Sequence, residues 1–149
     1  MAGTATADDA RLILELYDLR RESEMRQARQ WWLTTFWPEN VDDYMRVHSA
    51  MGSQENNWLR QVIGYWGIAA NFVLQGAAKE ELFFDFAFCG EMYFVFAKVK
   101  PFLAELREKT TPSMFSKIEQ AIASSKAGIE QFAVIEKRVA AMRVQKFGK

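Results

Sequence analysis

The sequence predicts an all-α fold: a single-domain bundle of five or six helices, with long helices at the N- and C-terminal ends. Three observations carry this. Apolar residues recur at three- and four-residue spacing along most of the chain. Two long amphipathic stretches bracket shorter aromatic-rich ones. The one run that could form a strand, Phe84 to Cys89, has no partner strand. With 149 residues, half of them apolar and 26% charged, the chain suits one domain around one sizeable core. That domain is taken to span residues 1–149, with the small and polar residues 1–6 disordered.

Thr6 suits the cap of a first helix, with Asp8 and Asp9 in its first turn, where negative charge favours a helix N-terminus. Leu12, Ile13, Leu16 and Leu19 form its stripe, and the helix is predicted to run to about Thr34. It stops before Phe36-Trp37-Pro38, because proline disfavours helix in the preceding residue. Asn40 caps a short helix over Val41 to Met51, with Asp43 placed as in a capping box. The stretch from Ser53 to Gln75 is apolar nearly all round and reads as the central, buried helix, ended by Gly76. A short helix follows from Lys79. From Glu91 a further helix turns Met92, Val95, Phe96, Val99, Phe102, Leu103 and Leu106 inward and Glu91, Lys98, Glu105 and Glu108 outward. Pro101 falls on the outer face, where a kink is tolerable. Thr111-Pro112 reads as the start of the last helix. The spacing of Phe115, Ile118, Ile122, Ser125, Ile129, Phe132, Glu136 and Val139 carries that helix unbroken across Gly128.

The formal net charge is zero, so no overall field recruits nucleic acid or an anionic membrane. Residues 39–91 nevertheless carry five more acids than bases, and residues 109–149 five more bases than acids. The two regions suit each other within the fold or across a dimer. The basic C-terminal set lacks a nucleic-acid-binding motif. The single cysteine, Cys89, rules out an internal disulfide and a CxxC site, and its aromatic neighbours predict a buried, inert thiol. The N-terminus does not resemble a signal peptide, and no apolar run is long enough to span a bilayer, so a cytoplasmic location is expected. No phosphate-cradling loop is present. His48 is the only histidine and has no nucleophile motif around it, and the acids Glu80, Glu81, Asp85 and Glu91 lack the Glu-x-x-His pairs of di-iron bundles. No catalytic residue, metal site or cofactor is implied.

One strip of the central helix stands apart from its apolar faces: Asn57, Arg60, Gly64, Gly67 and Asn71, beside the indole of Trp66. Two glycines three apart permit close approach of another helix. The alternative is that the strip lines a small pocket, with Asn57, Arg60 and Asn71 as its polar contacts.

Trp66, Gly76 followed by Glu81-Leu82, then Gly90, Pro101-Phe102 and Arg107 give residues 40–108 a resemblance to a family of uncharacterised bacterial helical proteins, classed as a domain of unknown function. The resemblance implies an all-helical fold and no known activity. Some members look membrane-anchored through an N-terminal hydrophobic helix; here Glu15 and Asp18 interrupt the corresponding stretch. The resulting expectation is a non-enzymatic interaction or regulatory module that self-associates or meets a protein partner. A small-ligand binder using the pocket beside the central helix is the alternative, and an enzyme using His48 the third reading.

Overall fold

The computed structural model describes residues 3–148, and every regular element among them is helical. Helix α1 (Ala7–Asp18) begins with a reciprocal cap, in which the Asp9 amide donates to the Thr6 hydroxyl at 3.2 Å and the Thr6 amide donates to the Asp9 carboxylate at 2.7 Å. Of the predicted disordered segment, residues 1–2 lie outside the described residues. Helix α2 (Ser23–Gln30) follows, then a π-helical turn over Trp31–Thr35 and α3 (Val41–His48), capped by Asn40. Next comes α4 (Gln54–Leu74), capped by Ser53 and ended at Gly76 with φ of 79°. Then follow α5 (Glu80–Phe83), α6 (Phe86–Val99), α7 (Leu103–Lys109), α8 (Ser116–Ala123) and α9 (Lys126–Phe147).

The expected five or six helices are thus too few: among the described residues, eight helices have seven residues or more, and α5 adds a single turn. Each extra break has a local cause. The predicted N-terminal helix divides at Glu22, which is extended (ψ of 139°) and accepts the Met25 amide through its own carboxylate, so the polar stretch after Arg21 restarts the helix. Pro101 sits in a 3-10 turn over Lys100–Phe102 that separates α6 from α7. The last long helix divides at Ser124 and Ser125, where extended Ser125 caps α9 by accepting the Gly128 amide at 2.9 Å. Thr111-Pro112 starts no helix. It lies in a turn whose last residue, Phe115, has φ of 62°, and α8 begins one residue later.

Packing also moves the centre of the molecule. Helix α4 lies against α2, α3 and α8, but its far face is open, and Ile68 is 58% exposed. The most deeply buried helix is α6, which packs on α8, α9 and the π-helical turn and buries nine of its fourteen residues. Its outward-facing stripe was misplaced: Lys98 is fully buried, and the Glu91 side chain is 6% exposed. Periodicity identifies one apolar face of a helix. It does not register that α2, α4 and the π-helical turn meet the polar one.

Gly128 shows why α8 and α9 meet at a corner. A Cβ there would lie 2.5 Å from the Ile122 carbonyl oxygen, a backbone atom that cannot swing away. Gly128→Ala is therefore expected to destabilise the fold by about 1–3 kcal/mol through overpacking, rather than stabilise α9 as alanine would in an open helix. Urea unfolding of the two proteins measures the difference.

Candidate functional site

The predicted strip on α4 does not stay together. Arg60, Gly64 and Gly67 line an open groove of about 380 Å³, whose opposite wall is Thr111 and residues 113–118, from the turn after α7 into α8. Asn57 is exposed and Asn71 half-buried, and neither lines that groove. Trp66 is fully buried and faces the other way. No atom of another element lies within 4 Å of where a Cβ of Gly64 or Gly67 would stand, so no helix packs closely on the glycines. The groove has Arg60 and Lys117 as its charged residues, hydroxyls at Thr111, Ser113 and Ser116, and apolar walls that include Ile63, Met114 and Phe115.

The residue beside the strip that matters structurally is Asn56, not Asn57. Asn56 is 1% exposed, and its Nδ2 donates to the Val47 and His48 carbonyls at 3.0 and 2.9 Å, closing the C-terminus of α3. His48 is half-buried with its ring stacked on Tyr44 at 6.1 Å. Among the described residues, no cluster of His, Cys, Asp or Glu could hold a metal ion. The thiol of Cys89 is buried, and burial pushes its pKa up to about 11.

Trp66 belongs to a second cluster that joins α2, α4 and α6. Its indole N–H donates to Glu91 Oε2 at 2.8 Å, while Arg29 Nε donates to Glu91 Oε1 at 2.7 Å. Arg20, in the 3-10 turn after α1, lies beside this pair and is 5% exposed. It donates to the Tyr65 hydroxyl at 3.1 Å and the Phe88 carbonyl at 2.5 Å. Its guanidinium carbon stands 4.7 Å from the ring centroids of both Trp66 and Phe88. Sequence reading missed this cluster because Arg20, Arg29 and Glu91 each look like ordinary surface charges in their own helices.

A third buried charge is Lys98. Its Nζ donates to the Trp32 carbonyl and, at 2.7 Å, to the Phe36 carbonyl, and lies 4.0 Å from the centroid of the Trp37 ring. Two carbonyls and one ring face thus meet the three N–H groups of an ammonium. Arg143 of α9 spans the same region, donating to the Lys98 carbonyl at 2.6 Å and the Pro38 carbonyl at 2.7 Å. Burial, with Arg143 and Lys146 nearby, pushes the Lys98 pKa down from 10.5 to about 7.

Between about pH 7 and 10.5 the unfolded chain holds a proton that folded Lys98 has released. Stability therefore rises with pH across that window, by up to ~1.4 kcal/mol per pH unit, and the slope vanishes below it, where both states are protonated. Lys98→Met is expected to remove this slope. It also lowers stability by about 1–3 kcal/mol, because the two buried carbonyls lose their donor. Urea unfolding of both proteins from pH 6 to 10 checks slope and offset together.

Residues 5–125 match the family described as Domain of unknown function (DUF4760), and the chain belongs to that family. No curated protein and no solved structure matches it. The match includes α1 to α8 and stops at the Ser125 cap, so α9 lies beyond it. Among the described residues, no helix is long and apolar enough to cross a membrane.

Proposed function

We propose that this member of the DUF4760 family is a non-catalytic interaction module that pairs with a second copy of itself through α1, in the cytoplasm. The observation behind this reading is the exposure of α1. Leu16 alone among its twelve residues is buried, while Leu14 is 66% exposed and Tyr17 50% exposed. Leu14 shares the outer face with Ala7, Ala10, Arg11 and Asp18, as the helical repeat of 100° per residue requires. Arg11 and Asp18 sit seven residues apart on that face, on either side of Leu14. An antiparallel pairing with its two-fold axis near Leu14 puts Arg11 of each copy opposite Asp18 of the other. Such a face is self-complementary, as a two-fold interface must be.

Two short helices bury less than the ~1,200 Å² of a standard stable interface, so association in the micromolar range is expected. Sedimentation at tens of micromolar should show a dimer, and Leu14→Glu, a change at an exposed position, should give a folded monomer. Because Cys89 is buried, Leu14→Cys supplies the one accessible thiol, and mild oxidation should link the two copies. A wild-type chain that sediments as a monomer at those concentrations would overturn the reading.

The open groove on α4 favours a second reading, in which Arg60, Gly64 and Gly67 receive a small ligand. Asn57, Trp66 and Asn71, part of the same sequence strip, have no share in it. Arg60 and Lys117, in a groove whose lining holds no acid, suit a carboxylate head, and the apolar walls suit a short hydrocarbon tail. Decanoate should raise the melting temperature of the wild-type protein and leave that of Arg60→Gln unchanged. Equal shifts in both proteins would remove Arg60 from the account.

A further inference from the structure

We infer that the groove where α1, α2, α6 and α9 meet binds a small aromatic monoanion, with the Arg29 guanidinium gripping its carboxylate. This site is separate from the α4 groove and meets α1 only at Tyr17. The cavity is about 390 Å³, within the range of small-ligand pockets, and its lining includes Arg20, Arg29, Glu91, Tyr17, Phe86 and Phe94.

Charge balance is the first argument. Glu91 is the one carboxylate in the lining, set against two guanidiniums. Its oxygens are committed to Arg29 Nε and to the indole of Trp66. The acceptors of Arg20 are neutral: the Tyr65 hydroxyl, the Phe88 carbonyl and ring faces. One positive charge is therefore left without an anion at the floor of a largely apolar groove, where an uncompensated charge is expensive. A monoanion balances it, whereas a dianion would leave an excess of negative charge.

Geometry is the second argument. Glu91 holds Arg29 by Nε, and among the described residues the two terminal nitrogens of Arg29 have no protein acceptor. The Arg29 side chain is 27% exposed, against 6% for that of Glu91, so the edge of the guanidinium remains reachable. Arg29 is thus oriented from behind, with N–H groups to offer the paired oxygens of a carboxylate. Glu91 is itself pinned by Trp66, so the guanidinium position is set before any ligand arrives.

The walls provide the third argument. Phe86 is 46% exposed and Tyr17 50% exposed, and both line the groove. The Phe86 ring lies over Gly90, where a Cβ would come within 3.1 Å of it, so the ring forms a firm edge to the groove. Exposed aromatic faces beside a fixed guanidinium suit a flat aromatic ring with a carboxylate on its edge.

Benzoate is the probe, titrated into the full chain and followed by calorimetry and by the indole N–H resonance of Trp66. Benzoate should bind and shift that resonance. Benzamide, which lacks the charge, and acetate, which lacks the ring, should each bind at least about tenfold more weakly. Arg29→Gln should weaken benzoate by about tenfold or more, and Phe86→Ala, a change at a half-exposed ring, by about threefold. Should Arg29→Gln fail to fold with Glu91 unpaired, Arg29→Lys takes its place: it keeps the ion pair but loses the planar fork, and should show the same weakening. No binding of benzoate at millimolar concentration overturns the proposal. So does acetate binding as well as benzoate, or benzoate affinity unchanged in the Arg29 and Phe86 variants.

Discussion

The rest of the fold depends on the buried amino group of Lys98, set against the carbonyls of a chain reversal. After α2 the backbone loosens into a π-helical turn and leaves through Phe36-Trp37-Pro38, so carbonyls there lack ordinary helical donors. Lys98 reaches them from α6, and Arg143 reaches the Pro38 carbonyl from α9. Three segments far apart in sequence are joined at one point by hydrogen bonds that the core could not leave unmade. An apolar side chain at position 98 would fill the same space and leave two carbonyls stranded. Arg143 also caps the Lys98 carbonyl itself, so the stitch is anchored at both ends of the lysine.

The Arg29–Glu91–Trp66 cluster repeats this arrangement about two helical turns earlier on α6. Glu91 and Lys98 are seven residues apart and so share a face of that helix. One meets α2 and α4, the other the turn that follows α2. The polar stripe of α6 is thus a seam that fixes how the N-terminal third lies across the core. Buried ionic groups add little net stability over well-packed apolar ones, but they disfavour other registers, in which they would be unpaired. The aromatic core beneath tolerates sliding better, since ring pairs such as Trp31 with Phe36 and Phe96 with Phe132 are far less directional than a salt bridge.

What was legible in the sequence was local. Thr6, Asn40 and Gly76 mark helix ends because a cap acts on amides or carbonyls within a few residues, and all three stand where the sequence places them. The all-helical class follows from spacing, which is local as well. Helix breaks were less legible where the capping residue has another plausible part to play. Glu22 lies inside a stretch that reads as one helix running to about Thr34, and Ser125 looked like one position in a heptad seam. The least legible feature was the sign of a face. Glu91, Lys98 and Arg20 look like surface charges until a distant segment covers them, and nothing within a helical turn of any of them says so. On α4 the error ran the other way: Gly64 and Gly67 suggested close packing, yet α8 packs on α4 without approaching within 4 Å of a Cβ at either glycine.

Helix α9 shows how far the core extends past the part of the chain that matches the family. Its Gln131 donates to the Phe84 carbonyl at 3.0 Å and accepts from the Tyr93 hydroxyl at 2.9 Å, while Phe132 packs on Tyr93 and Phe96. These contacts close the side of α6 opposite Glu91. Without α9 the hydroxyl of Tyr93 would lose its acceptor, the Phe84 carbonyl its donor, and the Phe96 face its cover. The Ser125 cap and the tight corner at Gly128 then have a clear purpose. They redirect the chain from α8, which packs on α4, to α9, which packs on α6. One short turn thereby binds the α4 side of the bundle to the α6 side. The direction of that turn, more than the length of either helix, determines that α6 rather than α4 lies at the centre.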